Sequence, residues 1–178
     1  METVCSQISL STSAPLVVSI AAGITIEQML NWFGRATAVV RCMPNTPALI
    51  GKGASGLYAN KHVTDVQKQL AQSLMEAVGI IVWVDDENDI DTVTAVSGSG
   101  PAYFFLFMEA MQDAAKELGL PEDLAKQLVY QTASGAADLA IQSKDSTAEL
   151  RRKVTSPGGT TERAIKKFEA GEIRKLVN

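Results

Sequence analysis

Apolar and polar positions along the chain follow two different rules. Up to about residue 96, short β-branched runs alternate with helical patterns. Pro15-Leu16-Val17-Val18-Ser19-Ile20 is a continuous apolar run, as carried by a strand covered on both faces. It ends in the small-residue turn Ala21-Ala22-Gly23. From Thr25 to Phe33 the spacing is helical, with Thr25 placed as an N-cap. Thr37 to Met43 is the next strand, and Ala54 to Ala59 a further one. Val66, Leu70, Leu74 and Val78 recur every four residues and predict an amphipathic helix over 64–78. Gly79 is expected as its C′ residue, followed by a strand from Ile80 to Val84. This alternation predicts an α/β layer with a mostly parallel sheet.

From about residue 97 the strand pattern stops. Pro101 to Leu118 reads as a helix, with Pro101 at its first position and Gly119 just past its end. Leu120-Pro121-Glu122-Asp123 opens a second long helix reaching about Gln142. Shorter helices are expected over 147–154 and 160–169. The expected organisation is therefore a partial α/β domain over 1–96 and an all-helical domain over 97–178. One helix stands apart. Ala102-Tyr103-Phe104-Phe105-Leu106-Phe107-Met108 is apolar on every side, so it has to be buried all round. A subunit interface would do this, and so would the centre of a monomer core.

Composition narrows the class. The 178 residues carry 46% hydrophobic and 20% charged positions, with a net charge of −4. Those are values for a globular protein, and the charge argues against a nucleic-acid partner. No apolar stretch approaches the ~20 residues a membrane span needs, and the start Met1-Glu2-Thr3-Val4-Cys5 lacks the features of a signal peptide. Cys5 and Cys42 are too few for a disulfide framework, and Cys42 reads as a reduced thiol inside a strand. A cytoplasmic enzyme is the expected class.

Three loops could carry chemistry. Ser97-Gly98-Ser99-Gly100-Pro101 runs into the all-apolar helix, whose start would present free N–H groups; a tight turn between domains would use the same residues. Val154-Thr155-Ser156-Pro157-Gly158-Gly159-Thr160-Thr161-Glu162 also leads into a helix. There the hydroxyls of Ser156 and Thr161 lie beside helix-start amides, an arrangement suited to a carboxylate. Plain helix capping by a Thr-x-x-Glu pattern fits the same residues. Met43-Pro44-Asn45-Thr46-Pro47 closes a predicted strand at the end where ligands bind in open α/β sheets, and equally suits a structural turn.

Other chemistries lack materials. The lone histidine, His62, lies in the polar stretch Asn60–Asp65 and is expected at the surface, so histidine-based catalysis and the usual zinc sites are not expected. The acidic run from Asp85 to Asp91 has neither the central glycine nor the closing glutamate of a calcium loop. It reads as a solvated strand-to-helix loop, with Asn88 or Asp89 as the cap, and no metal is expected.

Four stretches resemble the pyrroline-5-carboxylate reductase family: Ser19-Ile20-Ala21-Ala22-Gly23, Arg41 to Pro47, Ala95 to Tyr103, and Thr155 to Thr161. They stand in the family's order over essentially the whole chain from residue 15. The resemblance implies the C-terminal part of a Rossmann-type domain followed by a helical dimerisation domain, forming a homodimer that can join a larger assembly. It implies reduction of 1-pyrroline-5-carboxylate to L-proline by NADPH, with NADH as the other possible donor. Ile20, Ala21, Ala22, Asn45 and Pro101 would meet the cofactor. Ser156, Gly158, Gly159 and Thr160 would hold the substrate carboxylate. Thr161 would be the catalytic residue, its hydroxyl against the ring nitrogen, and Glu87 and Lys153 would lie nearby.

One departure qualifies this. The family opens with a strand, a glycine fingerprint and a helix that cradle the pyrophosphate. Here the only glycines before residue 51 are Gly23 and Gly34. The chain therefore reads as a fragment, expected to dimerise and to reduce the imine poorly by itself. A non-catalytic dimerisation module of the same fold is the competing reading. A hydroxyacid dehydrogenase is another, but its helical-domain lysine is missing, since no lysine precedes Lys116 in the relevant helix.

Overall fold

The computed structural model describes residues 1–7, 15–34 and 36–177, without the side chains of Ser6 and Gln7. Two compact units divide the chain, Met1–Phe107 and Met108–Asn178.

Among the described residues the first unit is built on four strands: β1 (Leu16–Ser19), β2 (Ala38–Met43), β3 (Gly53–Ala59) and β4 (Gly79–Trp83), in that spatial order. β1 and β2 are parallel, as are β3 and β4, while β2 and β3 run antiparallel. The expected mostly parallel sheet is thus present, with one reversal at its centre. Each parallel pair is bridged by a helix. In chain order α1 (Glu2–Gln7) precedes β1, and α2 (Ile26–Phe33) links β1 to β2. α2 begins with a full capping box, Thr25 accepting from the Gln28 N–H while Gln28 reaches back. It covers one sheet face, where Ile26, Met29 and Val39 are buried with Tyr58 and Val17 around them. α3 (Asp65–Glu76), capped the same way by Thr64 and Gln67, covers the other face over Val40, Cys42 and Leu57.

Two expectations fail here. α3 turns Ala71 and Met75 toward the sheet, while Val66, Leu70 and Leu74 stay exposed. The four-residue stripe identified the helix but not its buried face. Gly79 opens β4 and does not end α3. In register with Gly53, it lies so close that a Cβ there would stand 2.1 Å from the Gly53 carbonyl oxygen.

After β4 the chain forms α4 (Asp89–Val93) and then a wide π-type turn over Thr94–Gly98, closed by Ser99 N–H donating to Thr94 O at 2.8 Å. α5 (Gly100–Glu117) starts directly after it, one residue earlier than expected. The helix is entered from a hydrogen-bonded turn, so the free N–H groups expected near Pro101 are partly engaged.

The second unit contains the rest of α5, then α6 (Glu122–Gln142), α7 (Thr147–Lys153), α8 (Thr160–Ala170) and α9 (Ile173–Leu176). Its buried hydrophobic residues, among those described, are Ala125 and Val129. Among the described residues no helix is long and apolar enough to cross a membrane, and no cluster of acids, histidines and cysteines could hold a metal ion.

Candidate functional site

In the first unit the candidate residues gather at the ends of β1 and β2. Ser19, the last residue of β1, is buried and its Oγ accepts the Ala21 N–H at 3.3 Å. This hook folds the chain sharply, leaving Ile20 63% exposed and Ala22 also at the surface. A flat ring could lie against this turn of small side chains.

Asn45 follows β2. The sequence suggested a polar tip free for ligand, but its amide is engaged on both sides. Nδ2 donates to Ser97 O at 3.0 Å, and Oδ1 accepts the Ala54 N–H at 3.0 Å. Asn45 therefore ties the β2 end to the start of β3 and to the π turn ahead of Pro101. The prolines flanking it hold the backbone for that double contact.

The acidic run is not a fully solvated loop. Glu87 Oε1 accepts the Ile26 N–H at 2.7 Å and an Arg41 Nη1 proton at 3.2 Å, while Arg41 Nη2 donates to Asp91 Oδ1 at 3.3 Å. Arg41 sits in β2 at 4% exposure. A buried guanidinium needs acids around it, and these two supply them. Asn88 stands at the start of α4 without capping it, since its backbone and side-chain N–H groups both donate to Asp86. Neither Arg41 nor its acids announced themselves locally; the only signal was an arginine inside an otherwise apolar strand.

A second feature lies at the start of β3. Gly51-Lys52-Gly53-Ala54-Ser55-Gly56 has the G-x-G-x-x-G spacing. In the fold it leads into a strand where the dinucleotide fingerprint leads into a helix. A Cβ on Gly53 would meet Val78 O at 2.9 Å, and one on Gly56 would meet Val93 at 2.7 Å. These glycines serve close packing.

In the second unit, the Ser156–Thr161 loop joins α7 to α8. Thr155 Oγ1 donates to Arg151 O at 2.6 Å, and the Gly159 N–H to Ser156 O at 3.1 Å, closing a turn. Gly158 has φ +74°, where a side chain would be strained. Gly159 is the N-cap of α8 and has no side chain to cap it. The first bond of helical spacing is Arg163 N–H to Gly159 O, so the N–H groups of Thr160 and Thr161 have no partner within the helix. Ser156, Gly158, Thr160 and Thr161 are exposed, and Gly159 is half-buried. The capping alternative is half realised: Glu162 Oε2 accepts the Gly158 N–H at 2.9 Å. That bond, and after it Lys166 at 3.0 Å, holds the Glu162 carboxyl below its ordinary range. Lys166 offsets the charge Glu162 brings to the loop. Lys153 pairs with Asp145.

Comparison with known proteins identifies the family. The sequence profile described as pyrroline-5-carboxylate reductase dimerisation matches residues 87–178, from the Arg41-bound glutamate to the chain end. The chain belongs to the pyrroline-5-carboxylate reductase family. It is 59% identical over 162 residues to a pyrroline-5-carboxylate reductase of Pseudomonas aeruginosa, covering 91% of this chain and 59% of that one. With the Pasteurella multocida reductase the identity is 46% over 176 residues, covering 98% and 64%. The solved structure of a Coxiella burnetii pyrroline-5-carboxylate reductase superposes with a TM-score of 0.92 at 48% identity, covering 99% and 66%. A Plasmodium falciparum pyrroline carboxylate reductase solved with NADP bound has the same TM-score at 34% identity, covering 99% and 71%. The chain thus spans about three fifths of the length of these curated bacterial relatives. The α/β sheet followed by a helical domain is the arrangement of this family.

Proposed function

We propose that the chain carries the substrate-holding and subunit-pairing machinery of a reductase that converts 1-pyrroline-5-carboxylate to L-proline with NADPH, NADH being the alternative donor. Residues 1–96 face the nicotinamide end of the cofactor, and residues 97–178 hold the imine and pair two copies. The observation that carries this reading is the uncapped start of α8, where free amides stand beside the exposed Ser156 and Thr161 hydroxyls.

The chemistry asked of the loop is modest. The Ser156 hydroxyl and the free Thr160 amide take the substrate carboxylate, while Gly158 and Gly159, whose N–H groups are held by Glu162 Oε2 and Ser156 O, shape the loop around it. Each charge-assisted hydrogen bond contributes about 1.5–3 kcal/mol, and the helix field about 0.3–1 kcal/mol. The Thr161 hydroxyl stands against the ring nitrogen, which takes a proton relayed from water through that hydroxyl as hydride reaches the imine carbon, so that imine becomes amine. When bound, the cofactor supplies hydride to that carbon, and the chain's part is positioning. The exposed Ile20-Ala21-Ala22 turn fits a flat nicotinamide ring. In this proposal Asn45 and Pro101 border the ring as well, Asn45 being tied to the turn ahead of Pro101 by its bond to Ser97 O.

Pairing is supported by α5, where Tyr103, Phe104, Phe105 and Leu106 are all more than half exposed in the single chain. Side chains of that size in a row need a partner to cover them. Further assembly of such pairs and a cytoplasmic location belong to the same proposal, and the free thiols Cys5 and Cys42 suit a reducing compartment.

Titrating the chain with L-proline while following backbone amides tests the loop. Shifts are expected at Gly158, Gly159, Thr160 and Thr161. Ser156→Ala is expected to weaken proline binding about tenfold, and Thr161→Ala to lower single-turnover reduction by about tenfold at little cost in affinity. Equal and negligible effects of both substitutions would put the substrate elsewhere.

A further inference from the structure

The Ile20–Gly23 turn is held at both ends, and the two holds meet on adjacent strands. At its entry, Ser19 Oγ takes the Ala21 N–H. At its exit, the chain enters α2 at Ile26, whose N–H donates to Glu87 Oε1 at 2.7 Å. Glu87 is in turn held by Arg41, which is the register partner of Ser19 across the β1–β2 pair. The guanidinium is buried, with Nε left without a partner among the described residues, so its two Nη contacts carry the pairing. Those contacts differ in worth. The Asp91 side chain is 76% exposed and water weakens its attraction, whereas that of Glu87 is 23% exposed.

We infer that Glu87, braced by Arg41, is a positioning residue for the Ile20–Gly23 turn. It fixes where the chain leaves the turn for α2, and so sets how the turn meets the nicotinamide ring. This rests on the cofactor placement proposed above. Glu87 acts through the Ile26 amide, without touching substrate.

Amide hydrogen exchange on the whole 178-residue chain, with NADPH affinity measured alongside, tests it. Glu87→Ala is expected to speed exchange over residues 21–26 about tenfold, leaving the α3 amides within about twofold. Glu87→Gln keeps an oxygen that accepts from Ile26 and is expected to stay within about threefold of wild type. Asp91→Ala is expected to change the turn by less than about twofold. Arg41→Lys keeps the charge but loses the two-pronged contact; it is expected to speed turn exchange about threefold, and it serves where Glu87→Ala does not fold. NADPH affinity is expected to fall about tenfold in Glu87→Ala and to recover in Glu87→Gln. Unchanged turn amides, α3 amides speeding up equally, or an undiminished NADPH affinity would each overturn the inference. A wild-type chain that takes up no NADPH would leave the exchange data to decide by themselves whether Glu87 holds the turn.

Discussion

The two units are both rich in apolar residues yet handle them in opposite ways. The sheet unit surrounds Met29, Val39, Val40, Cys42 and Leu57 so fully that each is at most 2% exposed. The helical unit buries only Ala125 and Val129 among its described hydrophobic residues, leaving Leu124, Leu128, Tyr130, Leu139 and Ile141 at the surface. A sheet with a helix on each face closes around its own core. A few helices with broad apolar surfaces cannot, and the natural cover is a second copy of the same surface. The sheet core should thus owe its stability to itself, and the helical unit, together with the exposed start of α5 that the first unit carries, to a partner.

The sharpest test of self-sufficiency is Met29→Ala, which empties a fully buried site between α2 and the sheet. A loss of about 2–5 kcal/mol is expected, by denaturant unfolding, and the loss should not depend on protein concentration. A concentration-dependent loss would mean that the sheet unit, too, is held by association.

The helical unit should respond the other way. Leu128→Asp alters a residue 51% exposed in the single chain. If α6 pairs with a second copy, sedimentation equilibrium should show association weakened by at least about 2 kcal/mol, roughly thirtyfold in the dimer constant. A single chain with nothing on that surface would tolerate the charge within about 0.5 kcal/mol.

What could be read from the sequence depended on distance along the chain. Thr25 and Gln28 lie three residues apart, and the capping box they form was visible as an N-cap. The Ser156–Thr161 loop is likewise local, so its glycines and hydroxyls suggested both an anion site and a capped turn, and the fold realises part of the capping, Glu162 on the Gly158 N–H. Arg41 and Glu87 lie 46 residues apart, and their pairing exists only once β2 and the start of α4 are brought together. Until then only the family resemblance set Glu87 apart from the acids beside it, and nothing linked it to Arg41. The face of α3 was misread for a related reason. Periodicity weighs large side chains most heavily, but a helix packed closely on a sheet can turn a small residue such as Ala71 inward. Gly79 was assigned to the helix before it because its true constraint, the Gly53 backbone, is remote in sequence.

The last and smallest contrast is in pH, and the two units should weaken at opposite ends of the scale. In the sheet unit, burial pushes the Cys42 thiol up to about 11 from 9.0, against a smaller opposing effect of a hydrogen bond with Ser55. A folded value above the unfolded one gives stability that is whole below pH 9.0 and lost as the pH rises through about 11, on the order of 2 kcal/mol in all. Cys42→Ala should flatten that alkaline slope. In the helical unit the sign reverses. The Gly158 N–H and Lys166 hold Glu162 below its ordinary 4.5, so its contribution is present above that value and lost as the pH falls through the depressed one. Glu149, capped through Ser146, and Glu169, paired with Arg174, are lowered too and act in the same direction. Mild acid should therefore free the Gly158 amide to exchange while the β2 amides stay protected. Glu162→Gln keeps an oxygen for Gly158 but cannot titrate, so it should remove the dependence at that amide. If both units loosened together in acid, and Glu162→Gln made no difference, the loop would be held by the rest of the helical unit and not by its own carboxylate.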